Sequence, residues 1–404
     1  MAPAGNFECL QAAIQGGADS VYFGVGNLNM RSRSANNFAA EDLKEVVEIC
    51  RKAGVKTYLT LNISLYPEDM EDMRHTLELA KAAGVTAVIA SDIAAIQCCR
   101  ELGLEVHIST QLSISNVEAL KFYAQFADVV VLARELNLNQ VREICDEIEK
   151  QQIKGPSGEL VRVEMFAHGA LCMAVSGKCY LSLHTYGASA NRGACFQICR
   201  RGYEVTDLET GNQLNIDNQY IMSPKDLCTI EFMDKMVQAG VKVFKIEGRA
   251  RSAEYVKRCA ACYREAADAV CDGTFTPELG AALKQRLAEV FNRGFWDGYY
   301  QGAFLGEWSD VYGSQATLRK VYVGKVTNWF DRIGVAEITV ESAPLKMGDR
   351  VMIIGRTTGV EELTVDDMRE EFEPAAEAPK GVRCSLAVPH KVHRGDKVYK
   401  WEEV

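Results

Sequence analysis

From its start to about residue 272 the chain repeats one pattern: a short β-branched run, then an amphipathic stretch that stops on glycine. The runs are ADSVYFGV, KTYLTLNI, TAVIAS, EVHIST, DVVVLA, VEMFAH, YIMSP and VKVFKIEG. Each is apolar enough to be covered on both faces, as strands of a parallel sheet are. Between them lie segments such as AEDLKEVVEICRKAG and MEDMRHTLELAKAAG, each closing on a glycine that can end a helix. Eight strand–helix alternations predict an α/β fold, a (β/α)₈ TIM-type barrel. An open doubly wound sheet is the alternative. The opening MAPAGN reads as the end of a strand and its loop, so a few residues are expected to precede it. MAPAG would then end the first strand, and the later strands would shift by one.

Residues 183–220 break the alternation with a long insertion rich in glycine, which holds a hairpin candidate, YEVTDLETGNQLNI. Long irregular loops in compact domains tend to be functional or disordered. At about residue 315 the character changes again. VYVGKVTNWFDRIGVAEITV, APLKMGDRVMIIG, GVRCSLAV and GDKVYKW are short strands joined by turns, the pattern of a small β-barrel or sandwich. The expected division is residues 1–313 for the barrel and 314–404 for a C-terminal β-barrel similar to a translation-factor barrel, a fold-level analogy.

Composition narrows the function. The chain is 48% hydrophobic and 25% charged, an ordinary globular balance, and no apolar run is long enough for a membrane span. The start has no signal-peptide pattern, so a cytoplasmic address is expected. A net charge of −10 excludes indiscriminate nucleic-acid binding, although a local basic patch stays compatible with it. In a reducing compartment fourteen cysteines are not a disulfide framework. Cys9, Cys50, Cys98, Cys99, Cys145, Cys259, Cys262 and Cys271 lie in helical segments and Cys384 in a strand, where cysteine is a small apolar filler.

Four cysteines remain together. Cys172, Cys179, Cys195 and Cys199 are spaced by 7, 16 and 4, with Gly169, Gly177 and Gly193 beside them. Four thiolates can hold Zn²⁺ or an iron–sulfur cluster, and this spacing matches neither a zinc ribbon nor a ferredoxin run. Spacing alone leaves both open, together with scattered structural thiols. Cys228 competes for the fourth place.

The stretch EMFAHGALCMAVSGKCYLS closely resembles the signature of the collagenase-like peptidases, family U thirty-two. APAGNFECLQAAIQGGADSVYFG, STQLSISN, LARELN, MSPKDL and FKIEGRARSAEYV are similar to further blocks of that family, so the resemblance spans nearly all of residues 2–272. Despite the name, well-understood members are oxygen-independent hydroxylases. They include prephenate-dependent tRNA hydroxylation proteins, a ribosomal-RNA cytidine hydroxylase and a pair in ubiquinone synthesis. The resemblance implies a 4Fe–4S cluster on Cys172, Cys179 and Cys195, with Cys199 preferred to Cys228 as fourth ligand. It also implies RNA as partner, prephenate as co-substrate and 5-hydroxyuridine in tRNA as product. A collagenase-like peptidase, an rRNA cytidine hydroxylase and a non-catalytic cluster-bearing subunit are the alternatives. The sequence has no G-x-S-x-G elbow and no HExxH zinc pair.

In a barrel, chemistry gathers at the C-terminal ends of the strands. His107, Gln111, Glu164 and His168 are the catalytic candidates there, with either histidine able to move protons near neutral pH. Tyr22, Asn62, Arg134, Lys245, Glu247 and Arg249 are the substrate-binding candidates. Arg134 and Arg249 suit a small carboxylate substrate, because guanidinium groups clamp carboxylates bidentately. The ordinary reading of each is a buried ion pair or a capped histidine. Arg31, Arg33, Arg192, Arg200 and Arg201 could reach RNA phosphates, and Lys320, Lys325, Lys391, Arg394 and Lys397 could form a positive edge on the C-terminal barrel.

Overall fold

The protein is described by a computed structural model covering residues 1–33, 35–211, 213–214 and 222–404. Strands β1 (Ala2–Pro3), β2 (Ser20–Gly24), β3 (Lys56–Leu61), β4 (Ala87–Ala90), β5 (Glu105–Ile108), β6 (Val129–Val131) and β7 (Arg162–Ala170) lie side by side in chain order, all parallel. β8 (Val205–Thr206) and β9 (Gln213–Leu214) form the small antiparallel ladder expected of the insertion. β10 (Asp226–Cys228) runs antiparallel to β7, and β12 (Phe295–Trp296) is parallel to β10. β11 (Val243–Ile246) is parallel to β7. It also meets the first strand's end: the Ile246 amide donates to the Met1 carbonyl at 3.1 Å, and the Met1 nitrogen to the Phe244 carbonyl at 2.8 Å.

MAPAG is therefore a strand, as expected, and the later strands do shift by one. Of the run YIMSP, Tyr220 and Ile221 lie outside the described residues, and Pro224 makes an isolated bridge to Trp308. Proline has no N–H to give a ladder, so pairing resumes at β10.

The strand faces are apolar because both are covered. β2, β4 and β6 are buried throughout. The helices on the outside are α1 (Phe7–Gln15), α2 (Leu43–Lys52), α3 (Met70–Ala83), α4 (Ile93–Leu102), α5 (Val117–Ala124), α6 (Leu138–Lys150), α7 (Leu181–Tyr186), α8 (Met233–Gln238), α9 (Ala253–Cys271) and α10 (Pro277–Ala288). Asn6 caps α1 by accepting from the Cys9 amide at 2.8 Å. α3 and α4 end on Gly84 and Gly103 in the left-handed conformation, as the glycine stops imply. Most helical cysteines are buried fillers, and burial pushes the Cys50 and Cys99 thiols up to about 12. Cys271 departs from that reading: it is exposed at the end of α9. Among the described residues no helix is long and apolar enough to cross a membrane.

The C-terminal part is an antiparallel sheet. Its chain order is β13 (Leu318–Phe330), β14 (Val335–Val340), β15 (Leu345–Lys346), β16 (Arg350–Gly355), β17 (Gly359–Thr364), β18 (Met368–Glu370), β19 (Glu373–Pro374), β20 (Glu377–Ala378), β21 (Arg383–Ala387) and β22 (Lys397–Glu403). The spatial order is β17-β16-β22-β13-β14-β21-β18-β19, with β15 and β20 as a separate pair. It has a core of its own around Val323, Ile338 and Ile353, yet Met352 and Val360 pack into the cluster of Leu10, Tyr255 and Cys259 from α1 and α9. The Gln15 side chain is tied to this sheet's end, accepting from the Val360 amide at 2.9 Å and donating to the Thr358 carbonyl at 2.8 Å.

Candidate functional site

The C-terminal ends of β2, β3, β7 and β11, with the loop after β5, open onto one cavity of about 210 Å³. The 171–200 segment forms its outer wall. Two glycines let that wall come close. Gly169 (φ 103°) lies where a Cβ would meet the Glu247 carbonyl oxygen at 2.4 Å, and Gly193 (φ 80°) where one would meet the Asn29 carbonyl oxygen at 2.3 Å. Only glycine fits there.

Cys172, Cys179, Cys195 and Cys199 all line this cavity, and none forms a disulfide. Burial pushes the Cys199 thiol up to about 11; Arg200 opposes that, and the charges of Cys172, Cys195 and Cys179 add to it. The four thiols thus feel one another. The Gln197 amide points at the Cys195 sulfur from 3.4 Å, a donor suited to a thiolate. Among the described residues no three Cys, His, Asp or Glu side chains are placed to hold one metal ion. The four thiols line one space, a donor set of the kind that cysteine-bound metal centres use. Cys228 does not reach the cavity. It is buried opposite His168 in the β10–β7 ladder, with its thiol pushed up to about 12 by burial.

The rest of the lining is cationic. Arg31, Arg134, Arg249, Arg251, Arg293 and Lys245 line the cavity, with Arg200 beside Cys199, and among the described residues Glu247 is its single carboxylate. Arg31 donates to Glu247 Oε1 through Nε at 3.1 Å and Nη2 at 2.8 Å. Burial alone would raise the Glu247 carboxyl, but Arg31, Arg134 and Arg249 hold it down to about 2, so it stays anionic. Burial brings the Arg249 guanidinium down to about 10; its Nη1 donates to Thr60 Oγ1 at 3.1 Å. Arg134 stacks 3.7 Å over the Phe166 ring and donates to the Ala170 carbonyl at 3.1 Å. Its Nε and the Thr110 hydroxyl are buried without a hydrogen-bond partner. Buried polar groups are almost always satisfied, so these two keep hydrogen-bonding capacity for a further partner. Asn62 Nδ2 stands 3.2 Å from Ser109 Oγ and 3.4 Å from Gln111 Oε1, a polar rim on the β3–β5 side.

Tyr22, Asn62, Gln111, Arg134, Lys245, Glu247 and Arg249 all line this cavity. His107, Glu164 and His168 do not. Glu164 lies below the cavity floor, where its Oε1 accepts from Lys245 Nζ at 2.7 Å and its Oε2 stands 3.9 Å from His107 Nδ1. His107 faces outward from that layer to Glu105, 3.2 Å from Nε2. β7 continues two residues past His168, so this ring is still inside the sheet, among Tyr255, Tyr263 and Phe295. Burial, with Arg251 adding, pushes its imidazole down to about 3, and it is neutral at pH 7. These three catalytic candidates do not line the cavity.

The arginines expected to meet RNA divide as well. Arg31 is committed to Glu247, Arg192 to Asp69 at 2.6 Å, and Arg200 to the Leu171 carbonyl at 2.7 Å. Arg33 and Arg201 are exposed. Arg251 and Arg293 were not anticipated as site residues. Arg251 had a signal, standing two residues after Arg249 in GRAR; Arg293, in the loop after α10, had none.

A family model described as peptidase family U32 matches residues 5–309. A collagenase of Porphyromonas gingivalis is 58% identical, with 100% of this chain and 97% of that protein covered. The tRNA hydroxylation protein P1 of Bacillus subtilis is 34% identical, covering 88% of this chain and 83% of its own length. A 23S rRNA 5-hydroxycytidine synthase of Escherichia coli is 34% identical over 67% of this chain and 39% of that protein.

Proposed function

The chain belongs to peptidase family U32, and from that premise we propose that it is an iron–sulfur-dependent RNA hydroxylase that forms 5-hydroxyuridine in tRNA with prephenate as co-substrate. One observation carries the reading: four thiols, six arginines and Lys245 line a single cavity. Cys172, Cys179, Cys195 and Cys199 would hold a 4Fe–4S cluster, which supplies one-electron chemistry when bound. The chain's own residues bind and orient. Arg134, with its free Nε, and Arg249 take the carboxylates of the small substrate, while Glu247 keeps Arg31 in place beside them. Tyr22 donates to the Ile246 carbonyl at 2.8 Å, so its ring is fixed as a wall. Asn62 and Gln111 present amides to the remaining polar groups. The same reading takes the sheet as a closed (β/α)₈ barrel, supported by the two hydrogen bonds between Met1 and β11, and the C-terminal sheet as a β-barrel of translation-factor type.

The test is nucleoside mass spectrometry of RNA from a deletion strain, complemented with the wild-type gene or with Cys179→Ser. Loss of 5-hydroxyuridine in the deletion, restored by wild type and not by Cys179→Ser, is the expected result. Loss of 5-hydroxycytidine from rRNA instead would move the substrate to the ribosome, and unchanged RNA would end the hydroxylase reading. The second reading, a peptidase, is favoured by the collagenase name of the relative at 58% identity. A cysteine peptidase needs a histidine base on its thiol, and among the described residues no hydrogen bond joins a histidine to a cysteine. Cleavage of a collagen peptide by the purified protein, abolished by Cys172→Ala, would establish it.

A further inference from the structure

The thiol-bearing wall has an outer side that the cavity does not use. From Met165 to Tyr203 the chain has no Asp or Glu, and neither does the stretch Ser20–Ala40, in a protein of net charge −10. The two stretches meet where the Arg33 guanidinium lies 4.9 Å from the centre of the Phe196 ring. Around that contact three rings face solvent: Tyr180 is 69% exposed, Tyr186 48% and Phe196 40%. Tyr186 and Phe196 stand 4.9 Å apart, tilted by 48°, and Arg201 donates to the Tyr186 hydroxyl at 2.7 Å with its guanidinium 5.4 Å from the ring. Lys178 is exposed between Cys172 and Tyr180.

Exposed aromatic rings next to a cavity mark a recognition surface. Their partner here is set by charge and geometry together. Exposed rings flanked by guanidinium groups, on stretches of chain that carry no carboxylate of their own, suit flat π-systems tied to an anionic chain. A duplex keeps its bases stacked inside, so only unpaired nucleotides can offer them. We infer that Tyr180, Tyr186 and Phe196, with Arg33, Lys178 and Arg201, form a stacking rim that holds the unpaired nucleotides of an RNA loop beside the cavity. This rests on the RNA reading above. It also assigns the affinity to rings rather than to a broad basic patch, since Arg31, Arg192 and Arg200 are committed elsewhere. With three exposed cations the binding constant should fall with salt at a log–log slope of only about −2.

Fluorescence anisotropy on the full-length protein tests this with two labelled RNAs of the same composition, one a stem–loop and one fully paired. The stem–loop should bind more tightly. Tyr186→Ala and Phe196→Ala should each weaken it roughly five- to hundredfold, with Tyr186→Trp binding like wild type. Because a ring deletion could disturb the wall, Arg33→Ala and Lys178→Ala give a second reading: each should make the salt slope shallower by about 0.7. Ring variants that bind the stem–loop as tightly as wild type, or equal affinity for the duplex, would overturn the rim and leave the RNA reading standing. Wild-type protein that binds neither RNA but retains a collagen peptide would overturn both.

Discussion

His168 shows how far one residue's neighbours decide its chemistry. In the sequence it stands four places before Cys172 and looks available as a base; in the fold it is a neutral ring wedged between aromatic side chains. The consequence is measurable in stability. In the unfolded chain the imidazole takes a proton near its ordinary 6.5, whereas burial pushes it down to about 3 in the folded one. Between those values the unfolded state binds a proton that the folded state does not. The contribution is therefore fully present above 6.5 and is lost as pH falls towards 3, at about 1.4 kcal/mol per pH unit. His168→Phe, which keeps the ring packing, should flatten the decline in unfolding free energy between pH 6 and pH 4. Urea titrations at several pH values would read it, and an unchanged slope would mean another group governs acid stability.

At the scale of elements, β7 organises the site, because it pairs with β6, β10 and β11 and leads straight into the thiol wall. Its tightest point is Gly169. An alanine there would place its Cβ 2.4 Å from the Glu247 carbonyl oxygen, so β7 and the chain after β11 must separate. Gly187, which ends α7 at φ 62°, has nothing within 4 Å of the same added atom. Gly187→Ala should cost only the left-handed backbone strain, about 1–2 kcal/mol. Gly169→Ala should cost more and also displace Glu247 and its arginines, lowering both the melting temperature and the affinity for a dicarboxylate. Equal losses in the two variants would mean that the close approach does not matter.

The elements themselves were largely legible in the sequence. Glycine stops, apolar stripes and buried β-branched runs are local signals, and the α3 and α4 caps, the MAPAG strand and the 205–214 hairpin follow from them. What local signals do not carry is which residues face each other across the sheet. Arg31, Arg251 and Arg293 come from three separate segments, and only the fold brings them to one cavity. His107 and Glu164 lie off the cavity for the related reason that a strand's sequence does not show at which layer its neighbours end.

For the molecule as a whole, the joint between the two parts is firmer than the turn-rich stretch GEWSDVYGSQ suggests. The Gln15 side chain couples α1 to β17, and Met352 and Val360 pack into the cluster of α1 and α9. Of the cations expected to form a positive edge, Lys320 pairs with Glu254 at 2.8 Å, Lys325 with Glu341 at 2.7 Å and Lys391 with Asp331 at 3.9 Å, while Arg394 and Lys397 are exposed. Through Met352 and Val360 the C-terminal sheet completes the core around α1 and α9. Limited proteolysis should cut the exposed residues around Gly313, and the two pieces should still elute as one particle. Residues 1–313 expressed alone should melt lower or aggregate, since Met352 and Val360 leave the α1–α9 cluster uncovered. Independent pieces after cleavage, with an unchanged melting temperature for the first, would show that the joint is loose.

The Gln15 contact has a second meaning. β17 lies at the end of its sheet, where outward amides and carbonyls offer a template to any passing extended chain. The Gln15 side chain takes the Val360 amide and the Thr358 carbonyl, and Lys257 takes the Val360 carbonyl at 2.7 Å. One side-chain amide imitates a single peptide unit of a neighbouring strand, and a template whose first place is filled cannot seed a fibril from that side.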